Sequence, residues 1–207
     1  MNTTVETLYA KHIGRPIIVI GGGPSAPAQW MGLPDSTKED AVLVFANGHG
    51  FKLGLKPDYI VCKDDVHTET NKPMEPQLRA HGNYPILARF EWADYVMVKW
   101  PTQGNSGQLA IAAAALMGGK PIIPIGFDCF QGDTYFHSHN AKNVSHGRSD
   151  GVWRSSMTRM MLRLEGAVIR PPSGLLTFTF RTYNPSERLP APVIPAVFDR
   201  YRLLTPA

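Results

Sequence analysis

Short apolar runs recur along the first 125 residues, and those at 17–20, 41–46 and 121–125 are closed directly by glycine or asparagine. Ile17-Ile18-Val19-Ile20 stands between Pro16 and three glycines. A β-branched run without polar alternation predicts a strand buried on both faces, as in parallel sheets. The same reasoning predicts strands at 16–20, 41–46, 59–62, 85–88, 95–98 and 121–125. A short leading helix is expected over residues 4–12. Asn105-Ser106-Gly107 opens an alanine-rich helix, Gln108 to Met117, which Gly118-Gly119 closes. A polar stretch rich in His, Asn, Ser and Gly spans 131–150. A helix over about 152–164 and a strand at 167–169 follow it. The tail from about residue 182 is rich in proline. Strands alternating with helical patterns predict an α/β fold with a doubly wound, mostly parallel sheet. One domain is expected over 1–181, with 182–207 as a tail that can pack on another subunit of a homo-oligomer.

Composition narrows the class. The 207 residues are 43% hydrophobic and 18% charged, an ordinary balance for a globular chain. No run approaches the roughly 20 apolar residues of a membrane span. The polar start, with Glu6, is not expected to be a signal peptide. The two cysteines, Cys62 and Cys129, form no C-x-x-C, so a zinc ribbon is not expected and a reduced, cytoplasmic setting is. A net charge of +4 suits an anionic ligand such as a nucleotide and is too small to argue for nucleic-acid binding.

Candidate chemistry gathers at the predicted carboxyl ends of the strands, where α/β sheets bind their ligands. Gly21-Gly22-Gly23-Pro24-Ser25 is a phosphate-sized turn followed by a possible helix cap at Ser25. It is neither the dinucleotide fingerprint, since Ala26 stands where Gly is needed, nor a P-loop, since no G-K-[ST] follows. Asn47 either holds a turn or hydrogen-bonds a base, a ribose or a sugar hydroxyl. Asp64-Asp65 can hold Mg²⁺ against a diphosphate, cap the next helix or accept ribose hydroxyls. Asn105 or Ser106 caps the alanine-rich helix. Ser106 and the amides near Gly107 can also hold a phosphate or carboxylate there. Asp128 is read mainly as a structural acid holding loop amides. Among the histidines, His146 precedes a predicted helix and is the candidate base.

These residues, in this order, resemble a family. Asn105-Ser106-Gly107, the alanine-rich helix, Gly118, Ile122 and Gly126-Phe127-Asp128 resemble the T-S-G … G-x-D-F stretch of bacterial CMP-sialic-acid-dependent sialyltransferases. Gly21–Ser25 is similar to their G-N-G-P-S turn, with Gly22 in place of Asn. Ser145-His146-Gly147 through Leu164, then Ala167–Ile169 and Pro172–Leu176, is similar to their catalytic histidine, following helix and closing strand. The same core resembles the motility-associated glycosyltransferases. Pro57-Asp58 to Asp64 resembles the archaeal-type 6-hydroxymethylpterin diphosphokinases more closely.

The resemblance covers about residues 16–176 and implies a Rossmann-like fold binding a nucleotide-linked donor. By it, Gly22, Gly23, Ser25 and Asn47 touch the nucleotide, and Ser106 and Gly107 touch the donor sugar or phosphate. Tyr135 donates to the leaving phosphate, and His146 deprotonates the acceptor hydroxyl. The expected enzyme is a glycosyltransferase with a CMP-sugar-like donor and no required cofactor. The alternatives are a Mg²⁺-dependent diphosphokinase using Asp64 and Asp65, or a nucleotide-binding protein without catalysis.

Overall fold

A computed structural model of the chain describes residues 3–67, 71–97, 105–119 and 121–127. Seven strands form one sheet in the order β1-β6-β5-β4-β3-β2-β7. They are β1 Thr3–Thr4, β2 Ile17–Ile20, β3 Val42–Ala46, β4 Tyr59–Cys62, β5 Ile86–Ala88, β6 Tyr95–Val96 and β7 Ile122–Ile125. Every neighbouring pair is parallel. Four α-helices are described: α1 Ala26–Gly32, α2 Asp35–Asp40, α3 Met74–Arg79 and α4 Ser106–Leu116. The fold is α/β, Rossmann-like, as the sequence predicts.

The strands sort their side chains onto two faces. Ile17 and Val19 of β2, Val42 and Val44 of β3, Tyr59 and Val61 of β4 and Ile122 of β7 pack with α4. Ile18, Ile20, Phe45, Ile123 and Ile125 face the other way, against Leu33 and Trp30. Farther along that face Ile60, Cys62, Ile86 and Ala88 meet Met74 and Leu78 of α3. Both faces are covered, so these strands have no polar side to show.

Helix α4 is enclosed from Gln108 to Leu116, and its buried face carries no amphipathic stripe. Alanine at 110 and 112–115 lets it sit close over β2, β3, β4 and β7. Asn105 is its N-cap, through a capping box: Asn105 Oδ1 accepts from Gln108 N at 2.9 Å and Gln108 Oε1 accepts from Asn105 N at 3.2 Å.

The leading helix expected over 4–12 is replaced by strand β1 and a 3-10 turn at Val5–Leu8. The reason lies at the end of α4, whose last carbonyls have no partner inside the helix. Ala10 N donates to Leu116 O, His12 N to Met117 O and Gly14 N to Gly118 O. Amides spent on α4 cannot close a helix of their own. Thr3 and Thr4 meanwhile pair with Tyr95 and Val96. The expected strand at 95–98 is described only for Tyr95–Val96. The helix at 152–164, the strand at 167–169 and the tail lie outside the described residues.

Candidate functional site

Strands β2 to β6 are laid side by side in one direction, and α4 then carries the chain back so that β7 lies on the other flank of β2. The switch point of the sheet is therefore between β2 and β7, and ligands of open α/β sheets bind at the carboxyl ends of the strands beside it. The glycine turn stands there.

Gly21 N donates to Ile125 O at 2.9 Å and Gly23 N to Gly126 O at 2.8 Å, which stitches the turn to the end of β7. A Cβ on Gly21 would lie 2.6 Å from Gly126 O, so glycine is required by close approach. Gly126 is the residue there with a left-handed backbone, at φ +67°. Ser25 takes the N-cap position of α1, but its backbone is already helical and its side chain makes no cap hydrogen bond. A capping hydroxyl needs extended backbone at that residue.

One strand away, Asn47 ends β3 with φ +55°. Its amide donates to Val61 O at 2.9 Å, tying it to β4. Its side-chain Oδ1 is enclosed and has no hydrogen-bond partner among the described residues. This residue thus holds a turn, as one reading of the sequence had it, and also leaves an acceptor unspent.

Beyond β4, Lys63 N donates to Ser106 Oγ at 3.1 Å. The hydroxyl of Ser106, the first residue of α4, thereby fixes that helix to the end of β4. A hydroxyl that accepts keeps its own proton to donate. Asp64 is half-buried, and its carbonyl receives the Cys62 thiol at 3.1 Å. Asp65 is engaged: Trp92 Nε1 donates to its carboxylate at 2.8 Å. Among the described residues no three His, Cys, Asp or Glu side chains gather closely enough to hold a metal ion.

Sequence reasoning missed three side chains that build this edge. Phe127 packs where side chains on Gly21 and Gly107 would be, with 3.0 and 2.7 Å to the Cβ atoms those glycines lack. Gly107 is glycine for that ring. Gln29 accepts from Gly126 N at 2.7 Å, and Trp92 anchors Asp65. Phe127 stands inside the Gly126-Phe127-Asp128 motif and was within reach of the sequence. Gln29 and Trp92 act across 97 and 27 residues, and nothing local announces them.

The structure brings Gly22, Gly23, Ser25, Asn47, Asp64, Asp65, Asn105, Ser106 and Gly107 to one edge of the sheet. Asp128, Tyr135 and His146 lie outside the described residues. Pro57-Asp58 belongs to the opposite edge, where the Asp58 carboxylate accepts from Leu43 N at 2.8 Å.

No protein-family model matches the chain, and neither does any curated protein sequence. Two solved structures are similar. One is the sialyltransferase CstII from Campylobacter jejuni in complex with a substrate analogue, cytidine-5'-monophosphate. It shares 15% identity over 84% of this chain and 81% of that one, with a TM-score of 0.54. The other is the MAf glycosyltransferase from Magnetospirillum magneticum AMB-1, with 14% identity and a TM-score of 0.48. That match covers 97% of this chain and 41% of the longer enzyme. At these identities the likeness is one of fold, a sialyltransferase-like arrangement of the sheet. No likeness to a diphosphokinase is found. No helix among the described residues is long and apolar enough to cross a membrane.

Proposed function

We propose that the chain is a glycosyltransferase whose nucleotide-activated donor, a CMP-sugar or a close analogue, lies over the carboxyl ends of β7, β2 and β3. Asn47 carries this reading. An enclosed acceptor without a partner costs about 1–3 kcal/mol, and among the described residues Oδ1 of Asn47 is such an acceptor. It stands on the strand beside the glycine turn, at the switch point where nucleotides bind in this class of sheet. A base amine or a ribose hydroxyl supplies the missing donor. The sialyltransferase-like fold supports glycosyl transfer over phosphoryl transfer.

In the proposed reaction Gly22, Gly23, Ser25 and Asn47 hold the nucleotide. Asp64 accepts donor hydroxyls, and Ser106 turns its remaining proton toward the sugar or phosphate. His146 takes the proton of the acceptor hydroxyl as that oxygen bonds to the anomeric carbon. The bond from that carbon to the phosphate oxygen breaks, and Tyr135 donates to the departing phosphate. No metal is needed if Tyr135 and neighbouring cations neutralise the leaving group.

A thermal-shift screen of CMP, UDP, GDP and ATP compounds, with and without Mg²⁺, comes first. A cytidine compound is expected to raise the melting temperature, in EDTA as well as in Mg²⁺. Donor turnover is expected to fall by about 10²–10⁴-fold in His146→Ala with binding retained. Undiminished turnover in that variant removes His146 from the mechanism. A requirement for Mg²⁺ with ATP returns Asp64 and Asp65 to the centre of the chemistry.

A further inference from the structure

Among the described residues, Gln29 is a buried polar side chain beside the switch point that the proposed reaction does not use. It sits on α1, the helix launched by the glycine turn, and is 6% exposed. Its Oε1 accepts from Gly126 N at 2.7 Å, across 97 residues of sequence. Gly126 itself is held from three sides. Its carbonyl accepts from Gly23 N at 2.8 Å. Its missing side chain leaves room for Ala26, whose Cβ would be 2.7 Å away from one. Its backbone is left-handed, at φ +67°. A left-handed residue at a strand end turns the chain sharply, so the direction in which β7 is left is set at Gly126.

Two segments meet at that residue. One is the turn proposed to hold the nucleotide. The other begins at Phe127 and runs on in sequence to Tyr135 and His146. Their covalent separation is long, so their relative placement depends on non-local bonds. Without Gln29, the Gly126 amide would need another acceptor in an enclosed place, and the left-handed turn would have one restraint fewer.

We infer that Gln29 is a positioning residue: by accepting from Gly126 N it fixes the exit of β7 against the glycine turn, and so sets the width of the crevice into which the nucleotide fits. This inference rests on the proposed nucleotide site. Gln29 touches neither nucleotide nor sugar in it.

The test uses the full chain. Gln29→Met keeps the length and removes the acceptor, whereas Gln29→Glu keeps an oxygen in place. Binding of CMP is read by calorimetry, and the Gly126 amide is followed by hydrogen exchange in the nucleotide-free protein. Gln29→Met is expected to weaken CMP binding by about tenfold, with faster exchange at Gly126 and unchanged far-ultraviolet dichroism. Gln29→Glu is expected to restore both. Wild-type affinity in Gln29→Met, or loss of affinity that Gln29→Glu does not restore, overturns the inference.

If Gln29→Met fails to fold, the wild type still decides. CMP is expected to slow exchange at Gly126, and unchanged exchange on saturation overturns the inference. Wild-type protein that binds no nucleotide removes the nucleotide site itself. Where Gln29→Met folds, faster exchange at Gly126 than in wild type still reports the Gln29 bond, which separates the two failures.

Discussion

Asn47 combines a left-handed backbone with a buried acceptor that no described residue satisfies, and both features oppose stability in the absence of ligand. Replacing it tests whether that cost serves binding. Asn47→Gly relaxes the backbone and removes the orphan oxygen. The expected result is a nucleotide-free protein more stable by about 1 kcal/mol, with nucleotide affinity reduced by about tenfold. Chemical denaturation and calorimetry on one preparation read both. A variant that is less stable and binds normally would make Asn47 a turn residue only. Cys62 shows the opposite case of a reactive group kept silent. Burial pushes its thiol up to about 12, against a backbone hydrogen bond to Asp64 that acts the other way. In a Cys129→Ser background, Cys62 is expected to resist iodoacetamide at pH 8 until the protein is unfolded. Rapid alkylation of folded protein would contradict its burial.

Elements are joined here by a few side chains reaching backbone. Asp94 binds Arg79 through both carboxylate oxygens at 3.0 Å and also accepts from Ile86 N at 2.7 Å. One residue before β6 thus ties the end of α3 to the start of β5. Asp94→Ala leaves the Ile86 amide and the guanidinium without that partner and is expected to cost about 1–3 kcal/mol, seen as a lower denaturation midpoint. A wild-type midpoint would mean that water replaces the carboxylate without loss. Helix α4 depends on fit. Ala113 is fully enclosed, so Ala113→Leu forces the helix off the sheet, at about 1–3 kcal/mol. Strands β2 to β7 and α4 were readable because a buried parallel strand and an alanine-rich helix have local signatures. The helices α2 and α3 were not, because six residues each carry too little periodicity to stand out. The failed helix at 4–12 has a different cause: its amides bond to α4, a hundred residues away in sequence.

Across the whole molecule, the segment before β2 reports on pH. His12 meets the Tyr59 hydroxyl through Nε2 at 3.0 Å. Burial, then the charges of Lys11 and Arg15, hold its imidazolium below the ordinary value of 6.5. The unfolded chain therefore takes up this proton first as pH falls. His12 contributes full stability above 6.5 and loses it progressively below, down to its lowered folded value. Wild-type stability is expected to drop between pH 7.5 and 5 by more than that of His12→Gln, and equal drops would remove His12 as a cause. The sequence by itself determined the class of the fold, because the six apolar runs that became β2 to β7 are local properties. It also determined which polar residues end the strands, because an apolar run must stop somewhere and the residue that stops it is written beside it. Only the tertiary structure decided what those residues do there. It gave Asn105 to the helix cap, Gly107 to Phe127 and Asp65 to Trp92, and it left Asn47 Oδ1 without a partner among the described residues. Those assignments depend on contacts between strands and loops far apart in the chain, which no local pattern encodes.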